Sequence, residues 1–193
     1  AQICRIFPAD VARNAARLGL EEDEYYYNLE RCYGGFCFSD NMRPVMCPAC
    51  LRQALSSDGG FYAYSAAGDY SFLKACLSRE EQSVNWLFDN EGQDPLFGLS
   101  LSLRPAGRSE VGALLVQQGF ATASSLTCFD HAGYASWRYR FTIPNEDMRC
   151  TLAILNGRAS AASATSVLPL LRREEIPPSW TPPHEQLHGE SYP

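Results

Sequence analysis

The chain has 193 residues, of which 46% are hydrophobic and 12% are aromatic. This composition predicts a packed core and argues against a disordered chain. The formal net charge of −6 argues against a nucleic-acid partner, because proteins that bind nucleic acid carry a positive electrostatic footprint. No stretch of about 18 apolar residues occurs, so no transmembrane segment is expected.

The first predicted helix lies near the start of the chain. Val11, Ala15 and Leu18 recur at helical spacing after an N-terminal signal at Pro8. Gly19 follows the last of them and can end the helix.

Three consecutive tyrosines, Tyr25, Tyr26 and Tyr27, follow four acidic residues at positions 21–24. In one interpretation, one or two tyrosines pack inward while the acids stay in solvent. In the alternative, the tyrosines and acids form a surface that binds a partner.

In the middle of the chain, the sequence pattern predicts a short helix at 50–57 and a strand at 61–64. Ser78 and Glu81 match a capping box, which predicts a helix start. Residues 96–103 alternate leucine with serine, a period of two that predicts a half-buried strand.

The last third predicts a helix that begins near Ser109, followed by strands at 120–129, 134–143 and 149–155. We expect the helix to pack on one face of the sheet. The predicted core residues are Val111, Leu114 and Leu115 of the helix, and Leu99, Leu101, Leu103, Trp137, Tyr139, Phe141, Leu152 and Ile154 of the sheet.

These elements predict an α+β fold with a mainly antiparallel sheet, a few short helices and cysteine crosslinks. We expect residues 1–156 to form a cysteine-stabilised globular domain, with a cysteine cluster at 31–50. Residues 157–193 should form an extended tail, because half of the chain's twelve prolines lie in 169–193.

The densest feature of the sequence is the cysteine cluster, in which four of the eight cysteines lie within nineteen residues. An even number of cysteines permits disulfides throughout. The alternative is a zinc ribbon, in which two close pairs of thiolates hold one ion. The cluster consists of Cys32, Cys37, Cys47 and Cys50, for which both interpretations stay open; the scattered Cys4, Cys76, Cys128 and Cys150 are predicted to form disulfides.

The segment Cys47-Pro48-Ala49-Cys50 also has the C-x-x-C form of a dithiol redox site. Such a site needs its first thiol at a helix N-terminus, where the helix dipole lowers the thiol pKa. The predicted helix at 50–57 allows this arrangement. The sequence lacks the βαβ pattern that commonly surrounds such sites, which argues against the redox interpretation.

One further segment, residues 184–188, matches the zinc-hydrolase motif H-E-x-x-H. On a helix, His184 and His188 would bind zinc while Glu185 activated a water molecule. Prolines just before the motif and a glycine just after it argue against a supported helix. We therefore expect a chance match, and keep a zinc-dependent hydrolase as an alternative.

The leading hypothesis is a non-enzymatic binding protein or accessory subunit of a larger assembly, with no cofactor. We expect it to dock on a protein partner through its tail, with Trp180 and Tyr192 as aromatic anchors. The alternatives are the zinc hydrolase and a zinc-ribbon adaptor. The first residues, AQIC, are compatible with cleavage of a targeting peptide. The expected location is therefore secreted or in an oxidising or organellar compartment.

Overall fold

The computed structural model describes residues 8–37, 44–56, 60–77, 84–89, 108–131, 134–160 and 168–181. Within these ranges lie seven α-helices and two antiparallel two-stranded sheets. The fold is therefore α+β as predicted, although helices rather than strands make up most of the described part. In chain order the elements are α1 (Pro8–Leu18), α2 (Glu22–Tyr33), β1 (Phe36–Cys37), β2 (Pro44–Val45), α3 (Pro48–Ser56), α4 (Ser71–Leu77), α5 (Asn85–Asp89), α6 (Arg108–Gln117), β3 (Thr122–His131), β4 (Tyr134–Thr142) and α7 (Glu146–Leu155).

Strands β3 and β4 pair antiparallel from Thr122 with Thr142 to His131 with Tyr134, with one shift of register between Ala123 and Ser125. This hairpin confirms two of the predicted strands. Phe141 is buried at its base, and helix α6 buries all three of its predicted core residues. The side chains of 125–140, among them Cys128, Trp137 and Tyr139, lie outside the described part, as do residues 1–7, 78–83 and 90–107 with Cys4, the capping box and the leucine strand.

The strand predicted at 149–155 is wrong, because these residues belong to helix α7. Asn145 caps this helix by accepting a hydrogen bond from the Met148 amide at 3.0 Å, and two acids lie in its first turn. Both features stabilise a helix N-terminus. The strand predicted at 61–64 is also wrong, because a 3₁₀ turn at Tyr64–Ala67 begins within it.

The buried side chains form two hydrophobic clusters. One joins α4, α5, α6, α7 and the base of the β3–β4 hairpin, and the other joins α1, α2 and α3 with Phe61. Cys47 is a half-buried residue that packs against both. The C-x-x-C segment therefore lies where the two clusters meet.

The turn between α2 and β1 brings the N-terminus of α7 close to the cysteine cluster. Asn145 donates a hydrogen bond to the Gly34 carbonyl at 2.7 Å. Gly35 adopts a φ of +79°, and a side chain there would collide with the Pro144 carbonyl. This position therefore requires glycine on two grounds, conformation and space.

The described part of the tail, residues 168–181, packs on helix α2. The Asn28 side chain donates to the Leu171 carbonyl and accepts from the Leu171 amide, both at 2.9 Å. Arg173 donates its amide to Glu24 at 2.7 Å, within a single 3₁₀ turn at Arg173–Glu175. This segment is thus held by polar contacts along the outer side of α2.

Among the described helices, none combines the length and the apolar character needed to cross a membrane.

Candidate functional site: the Cys47–Cys50 pair

Helix α3 begins immediately after Cys47. The Cys47 carbonyl accepts the first intrahelical bond, from the Leu51 amide at 2.9 Å, and its amide donates to the Tyr33 carbonyl at 2.8 Å. Pro48 occupies the first helical position, where no amide hydrogen is needed and the fixed φ favours a helix start. The sequence C-P-A-C therefore places the first thiol at the N-terminus of a helix.

The Cys47 sulfur lies among hydrogen-bond donors that stabilise a thiolate. The Cys50 thiol is the strongest of them, and the backbone amides of Cys50 and Ala49 add to it. Partial burial and the charge of Asp147 act in the opposite sense. The donors prevail and lower the pKa of Cys47 to about 6, so that most of this thiol is ionised at neutral pH.

Cys50 has the opposite character. It is 6% exposed, and its pKa is raised because its proton is shared with the Cys47 sulfur and because it is buried near the charge of Asp147. Its Sγ atom also lies 3.3 Å from Oδ2 of Asp147, so the single thiol proton has two acceptors within reach, the Cys47 sulfur and this carboxylate oxygen. One thiol of the pair is thus ionised and accessible, and the other is protonated and buried.

Asp147 is a carboxylate buried behind this pair, with 1% of its surface exposed. It accepts hydrogen bonds from the Ser65 amide at 3.0 Å and the Ser65 hydroxyl at 2.7 Å. Burial raises the pKa of Asp147 despite these bonds and the one from Cys50. A carboxyl group whose pKa is raised, and which touches a thiol, can accept and return that thiol's proton.

Tyr70 completes the surroundings of the pair. It packs edge-on against Phe120, with ring centroids 5.0 Å apart. Burial raises its pKa, and the charges of Asp147, Cys50 and Cys47 add to this shift. The Tyr70 ring is therefore part of the electrostatic surroundings of the pair and packs against the cluster that contains Phe120.

The other two cysteines of the cluster do not join this arrangement. Cys32 is fully buried in α2, and burial raises its pKa to about 12. Cys37 lies on β1, where its amide donates to the Thr122 hydroxyl at 2.7 Å. Within the described ranges, no group of three His, Cys, Asp or Glu side chains is arranged to hold a metal ion. The zinc ribbon stays a prediction.

No disulfide joins the six cysteines that the structure describes in full, namely Cys32, Cys37, Cys47, Cys50, Cys76 and Cys150. Cys4 and the side chain of Cys128 lie outside the described part. The crosslinks expected from the sequence therefore stay a prediction.

The predicted partner-binding residues divide between core and surface. Tyr25 is a core residue, with no exposed surface and an edge-on contact to Phe61 at 5.3 Å, which corrects its assignment to a docking surface. The physical reason is helical spacing, since Tyr25 shares the inner face of α2 with Leu29. Tyr26 and Tyr27 are half-exposed.

Trp180 contacts its own chain. Its indole nitrogen donates to Glu30 at 2.7 Å, and its ring packs edge-on against Tyr27 at 5.3 Å. Tyr192 and the segment with His184, Glu185 and His188 lie outside the described residues.

Sequence reasoning found the C-x-x-C pair but missed Ser65 and Asp147. The local signal for Asp147 was present, because an asparagine followed by two acids is a helix N-terminus. That signal would have replaced the predicted strand by α7. No local signal links Asp147 to a thiol almost a hundred positions earlier.

We compared the chain with protein families, with curated proteins and with solved structures, and none of them matches it.

Proposed function

We propose that the chain is a thiol–disulfide oxidoreductase whose redox pair is Cys47 and Cys50. One observation carries the proposal. The half-buried Cys47 sulfur, at the start of α3, has a pKa lowered to about 6 by the Cys50 thiol and two backbone amides, while Cys50 contacts the buried Asp147 at 3.3 Å. These are the elements that a dithiol redox site requires, namely an ionised attacking thiol and a protonated resolving thiol.

In the first step the Cys47 thiolate attacks one sulfur of a substrate disulfide. A bond forms between this sulfur and the Cys47 sulfur, and the other substrate sulfur leaves as a thiolate. The helix N-terminus stabilises the attacking thiolate and holds it at the surface. The product of this step is a mixed disulfide on Cys47.

In the second step Cys50 resolves the mixed disulfide. Its proton moves to the Asp147 carboxylate, and the new thiolate attacks the Cys47 sulfur. The substrate sulfur leaves as a thiolate, so that the substrate has gained two electrons and the protein has lost two. Reversal of both steps oxidises a substrate dithiol and returns the proton from Asp147 to Cys50.

The lowered pKa of Cys47 also affects whether the pair prefers to oxidise or to reduce its substrate. A stabilised thiolate favours the reduced pair and raises its reduction potential. We therefore expect this pair to be a stronger oxidant than an unperturbed dithiol. Such a role agrees with the oxidising compartment expected from the sequence.

The test uses three cysteine variants and a glutathione redox buffer, with the mixed disulfide followed by mass spectrometry. We expect Cys47→Ser to abolish exchange, because the attacking sulfur is gone. Cys50→Ser should accumulate a mixed disulfide at Cys47, because the resolving sulfur is gone. Cys76→Ser is the control, since Cys76 is a free thiol on α4. Unchanged exchange in Cys47→Ser would contradict the proposal.

A second candidate function is the binding or accessory role expected from the sequence. It is supported by the half-exposed Tyr26 and Tyr27 beside the acidic first turn of α2. The test is a pull-down with the intact chain and with Tyr26→Ser. Loss of a partner in the variant, with thiol exchange intact, would favour this role over the redox one.

A further inference from the structure

The exposed segment that carries Cys47 is apolar. Residues 44–49, PVMCPA, contain no Asp, Glu, Lys, Arg or His, and none of them is buried. Val45 is 49% exposed, one of the two large apolar side chains exposed in the described part of the chain. Burial of the Val45 side chain against an apolar partner would be favourable.

Strand β2, which carries Val45, adds a second feature to this surface. It pairs with β1 through Val45 opposite Phe36 and Pro44 opposite Cys37. Within the described ranges, no other strand pairs with β2. Pro44 has no amide hydrogen to donate along this edge, so an extended polypeptide laid beside β2 is held mainly by contact of its side chains with Val45.

We infer that the substrate of the Cys47–Cys50 pair is a polypeptide with apolar residues next to its reacting cysteine. The inference rests on the proposed function. The polypeptide lies extended along Pro44 and Val45, and its sulfur meets Cys47 two residues further along the chain. Residues 44–49 contain no acidic or basic side chain that could pair with the ammonium and carboxylate groups of a small thiol such as glutathione.

The chemistry is the exchange already described, with the electrons supplied by the reduced protein. Cys47 forms a bond to the polypeptide's sulfur, and the polypeptide's disulfide breaks. The other sulfur of that disulfide leaves as a thiolate. Cys50 passes its proton to Asp147 and then displaces the polypeptide, which also leaves as a thiolate. The apolar contact at Val45 lowers the energy of the mixed disulfide without entering the reaction.

The experiment compares two disulfides in single-turnover reactions with the reduced protein. One is a peptide in which cysteine is flanked by valine and leucine and carries a small thiol reporter, and the other is oxidised glutathione. Val45→Glu places a charge in the apolar run. We expect it to slow the peptide reaction about tenfold, by loss of apolar contact, and to slow the glutathione reaction much less, through screened charge repulsion alone.

Ala16→Glu is the matched control, since it adds the same charge at another exposed position. Ala16 lies near the end of α1, which leads into the start of α2, whereas Cys47 bonds to Tyr33 at the end of α2. The two sites are thus separated by about 18 Å of helix. Both reactions should be unchanged in this variant.

Three results would overturn the inference. The first is a wild-type protein that reacts as fast with oxidised glutathione as with the peptide. The second is a Val45→Glu variant that slows both reactions equally, because the strand would then support the thiol rather than the substrate. The third is no effect of Val45→Glu on the peptide. None of these contradicts the redox pair itself, which fails only if the wild type reacts with neither disulfide.

Discussion

Cys47 and Cys32 belong to one cysteine cluster in the sequence, yet their surroundings differ in every respect that decides thiol chemistry. Cys47 is half-buried at a helix N-terminus, with a pKa lowered to about 6. Cys32 is fully buried within α2, with a pKa raised to about 12. The spacing of cysteines along the chain therefore does not predict which of them react.

The Cys50 thiol, which is the strongest donor to the Cys47 sulfur, and the deep burial of Cys32 account for most of this difference in pKa, and backbone amides add to it. The amides of Ala49 and Cys50 are at the start of a helix and have no intrahelical acceptor, so they can bond to the Cys47 sulfur. Cys32 lies near the end of α2, where carbonyls rather than amides are left without partners. The nearby Arg31 guanidinium, 3.7 Å from the Cys32 sulfur, favours the thiolate but does not outweigh burial.

Alkylation of the wild-type protein tests the predicted difference in reactivity between Cys47 and Cys32 most directly. At pH 7 about 90% of Cys47 should be thiolate, against a fraction on the order of 10⁻⁵ for Cys32. We expect iodoacetamide to label Cys47 faster by at least about a thousandfold. The Cys47 rate should rise with pH and reach half of its maximum near pH 6, as mass spectrometry over a pH series would measure.

The alkylation experiment carries its own control, because both thiols are labelled in one molecule. Comparable rates for the two cysteines, or a midpoint for Cys47 near pH 8.5, would contradict the assignment of the attacking thiol. Protection of Cys47 that is lifted by a chelator would instead favour the zinc ribbon.

A smaller effect is expected from Asp147→Asn, which removes the proton acceptor but keeps an oxygen for Ser65. We expect resolution of the mixed disulfide by Cys50 to slow on the order of a hundredfold, as for loss of a general base. In the wild type this step should quicken as pH rises through the raised pKa of Asp147, because only the carboxylate accepts a proton. In the variant this pH dependence should disappear.

Glu146→Gln is the matched control for this prediction. Glu146 is the neighbouring acid on α7, and it pairs with Arg31 and Arg149, each at 3.8 Å. It should leave the resolution rate unchanged. The first step, attack by Cys47, should be nearly the same in all three proteins. An equal loss of both steps in Asp147→Asn would mean that the variant disturbs the site as a whole.

Much of the local structure could be predicted from the sequence. Periodicity, capping and turn signals identified α1, α6 and the two strands of the β3–β4 hairpin, because these elements follow from residues that are close together in the chain. The strand predicted at 149–155 was wrong because Leu152 and Ile154 also satisfy a strand pattern, and the cap at Asn145 was not weighed. The contact between Cys50 and Asp147 depends on how α7 packs near α3, which no local pattern encodes.

Docking of the tail on a partner, which its prolines favoured, stays a prediction. Its composition did not indicate the contact that residues 168–181 make with their own chain, in which Asn28, a polar residue on α2, holds the Leu171 backbone by two hydrogen bonds. Amino-acid composition does not reveal that a buried side chain forms hydrogen bonds with a distant part of the backbone.

The tail adds to the difference in reactivity between the two thiols, because it covers the side of α2 on which Cys32 lies. Arg31, which contacts the Cys32 sulfur, donates to the Pro169 carbonyl, and Leu168 shares a hydrophobic cluster with Cys32. Cys32 should therefore be labelled mainly through opening of this segment.

Asn28→Ala should weaken the tail contact, since it removes both bonds to Leu171 from a fully buried position. The expected cost is about 1–3 kcal/mol, so slow labelling of Cys32 should rise about tenfold while fast labelling of Cys47 stays the same.

Glu174→Gln is the control, because it changes an exposed residue of the same segment and should alter neither rate. A parallel rise at both cysteines would indicate general loss of stability, and no rise at Cys32 would mean that the tail does not cover it. The selective rise at Cys32 is expected because Cys47 precedes α3, whereas the hydrogen bonds of the tail to Glu24, Asn28, Glu30 and Arg31 are all made on α2.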